Sequence, residues 1–454
     1  MRDGSGLGDT AFTQNRTEPL HRWVPWIAGF SSSFVGSVLE AASDRDPADI
    51  LVLDPFAGVG TTLVEAVERG HNSVGFEINP YAALVCRTKM SCLMYDLNLF
   101  QRALRAFRER MADSARRAPK AQPPREFSSR VPFFSPAVER KVLHVLDFIA
   151  RVSHLHLAPG RRARNEDATP WLRDVFRVAL GAVMVGFSNY SYEPSLGRRA
   201  SAGKDDILDA DVAGILASKL DEMLKDMVQA QLRAGSLGWK PKARVLADSF
   251  LTHYEQAGVG TVDFLITSPP YLNNYHYIRN TRPHLFWLGL VEKRSQLAEM
   301  EQVSFGKFWQ TVRSGPRIEL EATCDGLAEA LEDLRGRNPE KGIYGGSGWA
   351  NYAASYFNDC LAFCRAAKRV MKPGGTMVVV IGNNILQGIE LQTDRLLAQI
   401  AEGCGFDTVA LHRVRTKRTG SSIVRSSVRV GKAGDRVELY ETAIELKARQ
   451  AGIA

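Results

Sequence analysis

Residues 50 to 69 commit this chain to a particular kind of sheet. Ile50-Leu51-Val52-Leu53 is a short apolar run of β type that ends at Asp54. Pro55-Phe56-Ala57-Gly58-Val59-Gly60-Thr61-Thr62 follows as a glycine-bearing turn, and residues 63–69 carry apolar groups at helical spacing. Residues 72–76 supply the next strand and 81–90 the next helix. Strands alternating with helices pack as a parallel, doubly wound α/β sheet covered on both faces.

The turn has chemical content as well. Gly58 and Gly60 let backbone approach a ligand closely, and the helix start offers free N–H groups to an anionic portion. A dinucleotide fingerprint would place a third glycine where Leu63 stands, so a pyrophosphate cradle is disfavoured. Glu77 follows the second strand, where a carboxylate can accept both hydroxyls of a ribose. Asp248 ends a third strand, where it could hold an adenine amino group or be an ordinary loop aspartate. Phe56, Thr61 and Thr62 belong to the same cradle, with Asp54 at its base.

The α/β rhythm stops near residue 96. Residues 97–240 read as helices with a polar, proline-containing break at 115–130. The rhythm resumes at 243–247, and Val262-Asp263-Phe264-Leu265-Ile266 runs into Thr267-Ser268-Pro269-Pro270-Tyr271. After an irregular stretch at 293–348 come a helix at 352–370, a turn at Lys372-Pro373-Gly374-Gly375 and a buried strand at 376–381. Residues 408–415 and 438–446 form a terminal hairpin around a basic turn. The expected division is a catalytic domain of residues 20–96 and 241–454, a helical insertion at 97–240 and a second insertion at 293–348. The 454 residues exceed what one core usually supports, which fits an interrupted domain.

Six cysteines show no disulfide or zinc spacing, so a reducing compartment and no metal are expected. No leader-like start and no apolar run of spanning length is found, and a cytoplasmic protein is expected. The net charge of +8 favours a polyanionic partner.

The two strings resemble those of the S-adenosylmethionine-dependent DNA amino-methyltransferases, which act on cytosine N4 or adenine N6. DPFAGVGTT matches the family's first motif through Phe56, Gly58 and Gly60, GFEINP its acidic motif at Glu77, and TSPPY its catalytic motif. The resemblance implies a Rossmann-like class I methyltransferase sheet of seven strands, the last antiparallel. It implies S-adenosyl-L-methionine as cofactor, closed over by residues 21–35 with Phe30 and Ser31. It covers residues 20–95 and 243–290 well and 350–446 in pattern only.

An exocyclic amine is a poor nucleophile because its lone pair is delocalised into the ring. Two prolines in succession fix the backbone, so the Ser268 hydroxyl and Pro269 carbonyl can draw the amine's hydrogens. Pro270 holds the turn, and Tyr271 offers a face on which an extruded base could stack. Serine in the first motif position resembles the cytosine-N4 group more than the adenine-N6 group. Cytosine-C5 chemistry is excluded, since no Pro-Cys pair supplies its nucleophile.

The expected substrate is double-stranded DNA, within restriction-modification or phage defence, with a separate nuclease. Adenine-N6 transfer, RNA amino-methyl transfer and a catalytically silent nucleic-acid-binding protein are the rival readings. Basic clusters at 101–141 and 411–432 suit phosphate contacts, with Arg415, Lys417 and Arg418 in the second. Arg198 and Arg199 lie in a polar loop of the insertion and could read guanine edges. Asn273, Asn274, Tyr275, His276, Tyr277 and Arg279 crowd beside the catalytic motif and could contact an extruded base, while Leu285, Phe286, Trp287 and Leu288 are expected to pack a helix onto the sheet. Target recognition is expected from 97–240, with 293–348 as the rival segment.

Overall fold

The computed structural model describes residues 12–26, 29–40, 44–154, 169–192, 195–237, 239–273, 275–417 and 438–450. Its strands are β1 (Leu51–Asp54), β2 (Asn72–Phe76), β3 (Tyr190–Tyr192), β4 (Leu196–Arg198), β5 (Ala243–Leu246), β6 (Val262–Thr267), β7 (Met371–Gly382), β8 (Asn384–Leu386), β9 (Ile389–Leu391), β10 (Phe406–Lys417) and β11 (Leu439–Ala448). Seven form one sheet in the order β10-β11-β7-β6-β1-β2-β5. Pairing is parallel from β7 to β5, and β11 runs antiparallel to both its neighbours. Every residue of β6 is buried, as a central parallel strand covered on both faces requires. The direction of winding reverses between β1 and β6, and in such sheets ligands bind beyond the strand ends at that point.

Asp263 is the one charged residue of β6. Its carboxylate accepts Leu51 N at 3.0 Å and meets Lys372 Nζ at 2.9 Å and Arg45 Nη2 at 2.6 Å, which compensates its burial. The turn expected at 372–375 lies inside β7. Val262 pairs with Met371 but Phe264 with Thr376, so four residues bulge from the ladder, with Gly374 at φ 76°.

Two cores cover the sheet. On one face, helices Gly346–Val370 and Thr393–Gly403 pack with Leu53, Leu265 and Val379. On the other, Phe34 and Val35 of helix Ser32–Leu39 cover Val52, Ile266 and Val380. A third core gathers helices Leu97–Ala112, Pro136–Val152, Pro170–Val183 and Val212–Ser236 together with Pro80–Ser91 and Tyr277–Trp287.

That third core corrects one expectation. Leu285, Phe286, Trp287 and Leu288 were expected to pack a helix onto the sheet, yet they enter the helical insertion. Phe286 meets Phe127 at 5.9 Å and Trp287 meets Phe134 at 4.9 Å. Nor is 293–348 wholly irregular: it holds helices Arg294–Val303, Trp309–Val312 and Leu327–Arg335. The last buries Leu327, Leu331 and Leu334, one face at helical spacing. Among the described residues, no helix is long and apolar enough to cross a membrane, and no cluster of metal-ligating side chains occurs.

Candidate active site

The two strings meet. Thr267 Oγ1 donates to Asp54 Oδ1 at 2.6 Å, and Thr62 Oγ1 donates to the Ile266 carbonyl at 3.3 Å. Asp54 Oδ1 also accepts Phe56 N at 3.0 Å, which turns the chain sharply out of β1. Burial pushes the Asp54 carboxyl up to about 6 against the pull of these donors.

The glycine turn follows. Gly58 sits at φ 52° and Gly60 at φ 87°, in the left-handed region that L side chains rarely adopt. A Cβ on Gly58 would stand 3.2 Å from Trp26 Nε1, and one on Gly60 2.7 Å from Cys86 Sγ. Gly58 N donates to Glu77 Oε2 at 2.9 Å and Asn79 N to Glu77 Oε1 at 2.7 Å. Each carboxylate oxygen is thus fixed by one backbone donor, with a second lone pair left over. Burial raises Glu77 to about 7, with the Asp54 charge adding to the shift.

These groups line one cleft of about 1010 Å³, open solvent at its mouth included. Phe30, Asp54, Phe56, Gly58, Thr61, Glu77 and Asp248 stand on its wall, and Ser268 and Pro270 stand there with them. Tyr277, from the run beside the catalytic motif, also stands on the wall, whereas sequence reasoning missed Trp26 and Phe305. Trp26 lies in the segment expected to close the cleft, so its indole was a readable signal. Phe305 comes from the second insertion and packs edge-on against Phe56 at 5.0 Å, with no sequence signal pointing to it.

Several expected residues are placed differently. Ser31 is off the cleft wall: its hydroxyl accepts Phe34 N at 3.2 Å and caps helix Ser32–Leu39. Gly60 caps helix Thr61–Glu68 by its backbone, and Thr62 holds β6. Pro269 is buried behind the wall. Tyr271 also stands off the cleft, its ring so near Gly382 that a Cβ there would lie 3.4 Å away. Ser268 Oγ lies 3.1 Å from the Val380 carbonyl and 3.4 Å from Tyr271 Oη. Tyr356 Oη donates to the Pro270 carbonyl at 3.1 Å, fixing the turn from the opposite side.

Among the expected nucleic-acid contacts, Arg198 is exposed on the hairpin of β3 and β4, and Arg199 Nε donates to the Asp205 carbonyl at 2.7 Å. Asn273 Oδ1 accepts Tyr275 N at 3.0 Å, and Tyr275 meets Tyr277 edge-on at 4.9 Å. Arg279 is exposed on helix Tyr277–Trp287. The hairpin docks on that helix, since Tyr192 Oη donates to the Asn280 carbonyl at 3.1 Å and Leu196 N to Asn280 Oδ1 at 2.8 Å. Arg415 and Lys417 sit apart from these, on edge strand β10. Asn274 and Arg418 lie outside the described residues. His276 is a helix cap: its Nδ1 accepts Arg279 N at 3.3 Å and its Nε2 meets Glu301 at 3.0 Å. Burial, with Arg279 and Arg282 nearby, pushes it down to about 4.

A seven-stranded sheet with this order, a reversed strand next to the edge, a glycine turn after β1 and an acid after β2 is a Rossmann-like methyltransferase fold. Residues 30–86, which hold the first half of the cleft, match the N6/N4 family described as DNA methylase. Over that stretch the chain is similar to this amino-methyltransferase family, and its similarity to type II methyltransferases extends over most of its length. It is 22% identical to the type II methyltransferase M.BsoBI of Geobacillus stearothermophilus, over 91% of this chain and 83% of that protein. It is 23% identical to the type II methyltransferase M.AvaI of Anabaena variabilis, over 91% and 84%. A shorter stretch, 21% of this chain and 17% of the relative, is 32% identical to the type II methyltransferase M.MjaII of Methanocaldococcus jannaschii.

Proposed function

We propose that the protein transfers a methyl group from S-adenosyl-L-methionine to an exocyclic amine of double-stranded DNA, with cytosine N4 as the target. The observation that carries this is the Thr267–Asp54 hydrogen bond, which sets Ser268 on the wall of the cleft that Gly58 and Glu77 define. The residues fit the cofactor. Glu77 keeps an acceptor on each oxygen for a ribose diol, and a side chain on Gly58 would press into Trp26. Asp248 stands on the same wall for the adenine amino group. The cofactor supplies an electrophilic methyl on a sulfonium.

The chain's own residues prepare the amine. Ser268 has a single hydroxyl hydrogen. Once that is given to the Val380 carbonyl, the oxygen's lone pairs remain to accept from the substrate. Hydrogen-bonded to that oxygen, the nitrogen is drawn toward a tetrahedral geometry, with Pro269 fixing the backbone from behind the wall. The spare proton passes to water, so His276 is free to remain a neutral cap. Serine in the motif's first place supports cytosine, and the type II relatives support a role beside a separate restriction nuclease.

The test is mass spectrometry of nucleosides from DNA treated with protein and cofactor. N4-methylcytosine is the expected product. N6-methyladenine would correct the base, and methylated RNA beside unmodified DNA would overturn the substrate.

A further inference from the structure

A second cleft of about 1270 Å³, open solvent included, lies between the insertion and helix Tyr277–Trp287. Trp26 and Tyr277 stand on the walls of both clefts, so they form the partition between them. Ser268 and Pro270 face only the first. The second holds three kinds of group together. Tyr190, Tyr192 and Tyr275 supply aromatic faces. Tyr192 is 37% exposed while its hydroxyl is anchored on the Asn280 carbonyl, so the ring is held in place yet open to a ligand. Arg16, Arg199 and Lys204 supply positive charge, and no carboxylate lines the cleft among the described residues.

Unmet hydrogen-bonding groups complete the set. Tyr81 is 1% exposed, and its hydroxyl has no partner among the described residues; the Ser191 hydroxyl has none either. An orphaned buried hydroxyl on a cleft wall marks a place where a polar ligand edge is expected. The Tyr81 ring stacks on His284 at 4.6 Å, and a Cβ on Gly181 would come within 2.5 Å of its hydroxyl. The hydroxyl is therefore fixed rather than free to swing elsewhere.

Aromatic faces with cations and unpaired hydroxyls suit a base joined to a phosphate. We propose that this second cleft holds a nucleotide of the DNA substrate other than the one being methylated, with its base against Tyr192 and Tyr275, its edge read by Tyr81 and its phosphate near Arg199. The proposal rests on the DNA reading above. The methylated base must reach Ser268, which lies across the Trp26–Tyr277 partition, so the occupant here is a flanking nucleotide or the partner of the target.

The test uses the full chain with S-adenosylhomocysteine and a duplex bearing the sequence that the protein methylates. 2-Aminopurine is placed in turn at each position of both strands, and its emission reports unstacking. A several-fold rise is expected at one position besides the target. Tyr192→Ala is expected to abolish that second signal while leaving cofactor binding intact. Tyr81→Phe, which removes a hydroxyl without a partner, is expected to alter which base at that position supports methylation. Methylated DNA with a signal at the target alone, or a second signal that survives Tyr192→Ala, overturns this inference and spares the enzyme's function. DNA left unmethylated by the wild-type protein overturns both.

Discussion

On the proposed function, Ser268 concentrates the chemistry in one hydroxyl. Ser268→Ala removes the acceptor while Gly58 and Glu77 keep their places, so turnover should fall by about 100-fold with cofactor affinity unchanged. Single-turnover rates beside equilibrium binding check both halves. Glu77 gives a pH signature. Its carboxyl is raised from 4.5 to about 7, so it is protonated at mildly acidic pH in the free protein. Holding a ribose diol requires the ionised form, and cofactor affinity should weaken as pH falls through 7. Stability should move oppositely. A raised carboxyl favours the folded state below 4.5, and that contribution is lost as pH rises toward 7. Calorimetric titration from pH 5.5 to 8 tests the first effect, and Glu77→Gln should flatten the profile.

At the scale of elements, the cleft depends on how the N-terminal segment is held. Asp226 of helix Val212–Ser236 is fully buried and accepts Leu20 N at 3.0 Å, Arg22 Nε at 3.1 Å and Trp23 Nε1 at 3.1 Å. Leu20 is held there at φ 62°. Asp226→Ala should cost about 3 kcal/mol in urea unfolding and should loosen Trp26 and Phe30, weakening the cofactor as well. The sheet and its glycine turn are legible in the sequence because periodicity and turn residues are local. The position of helix Tyr277–Trp287 is not. An apolar run such as Leu285-Phe286-Trp287-Leu288 declares that it is buried but carries no record of its partner, which here is Phe127 and Phe134. The direction of Tyr271 fails for a like reason, since Gly382 that receives its ring lies 111 positions on. Phe305 reaches the cleft through a turn between two short helices, where no period exists to read.

At the scale of the molecule, the helical insertion shares its core with the catalytic unit. Tyr81, Leu84 and Val85 of helix Pro80–Ser91 are buried in the same cluster as Phe100, Phe107 and Phe176. Excising 97–240 should therefore leave a chain that does not fold, seen as loss of the cooperative thermal transition. Exchange confined to 185–205 should keep the fold and change sequence preference. The hydrogen bond between Thr267 and Asp54 joins residues 213 apart, and β1 cannot meet β6 before that whole stretch has been made. At about 5–20 residues per second, β1 waits some 10 to 40 seconds on the ribosome with one edge unpaired. Catalytic geometry is thus one of the last things the nascent chain acquires, and Leu51-Val52-Leu53 is the segment a chaperone would have to shield meanwhile.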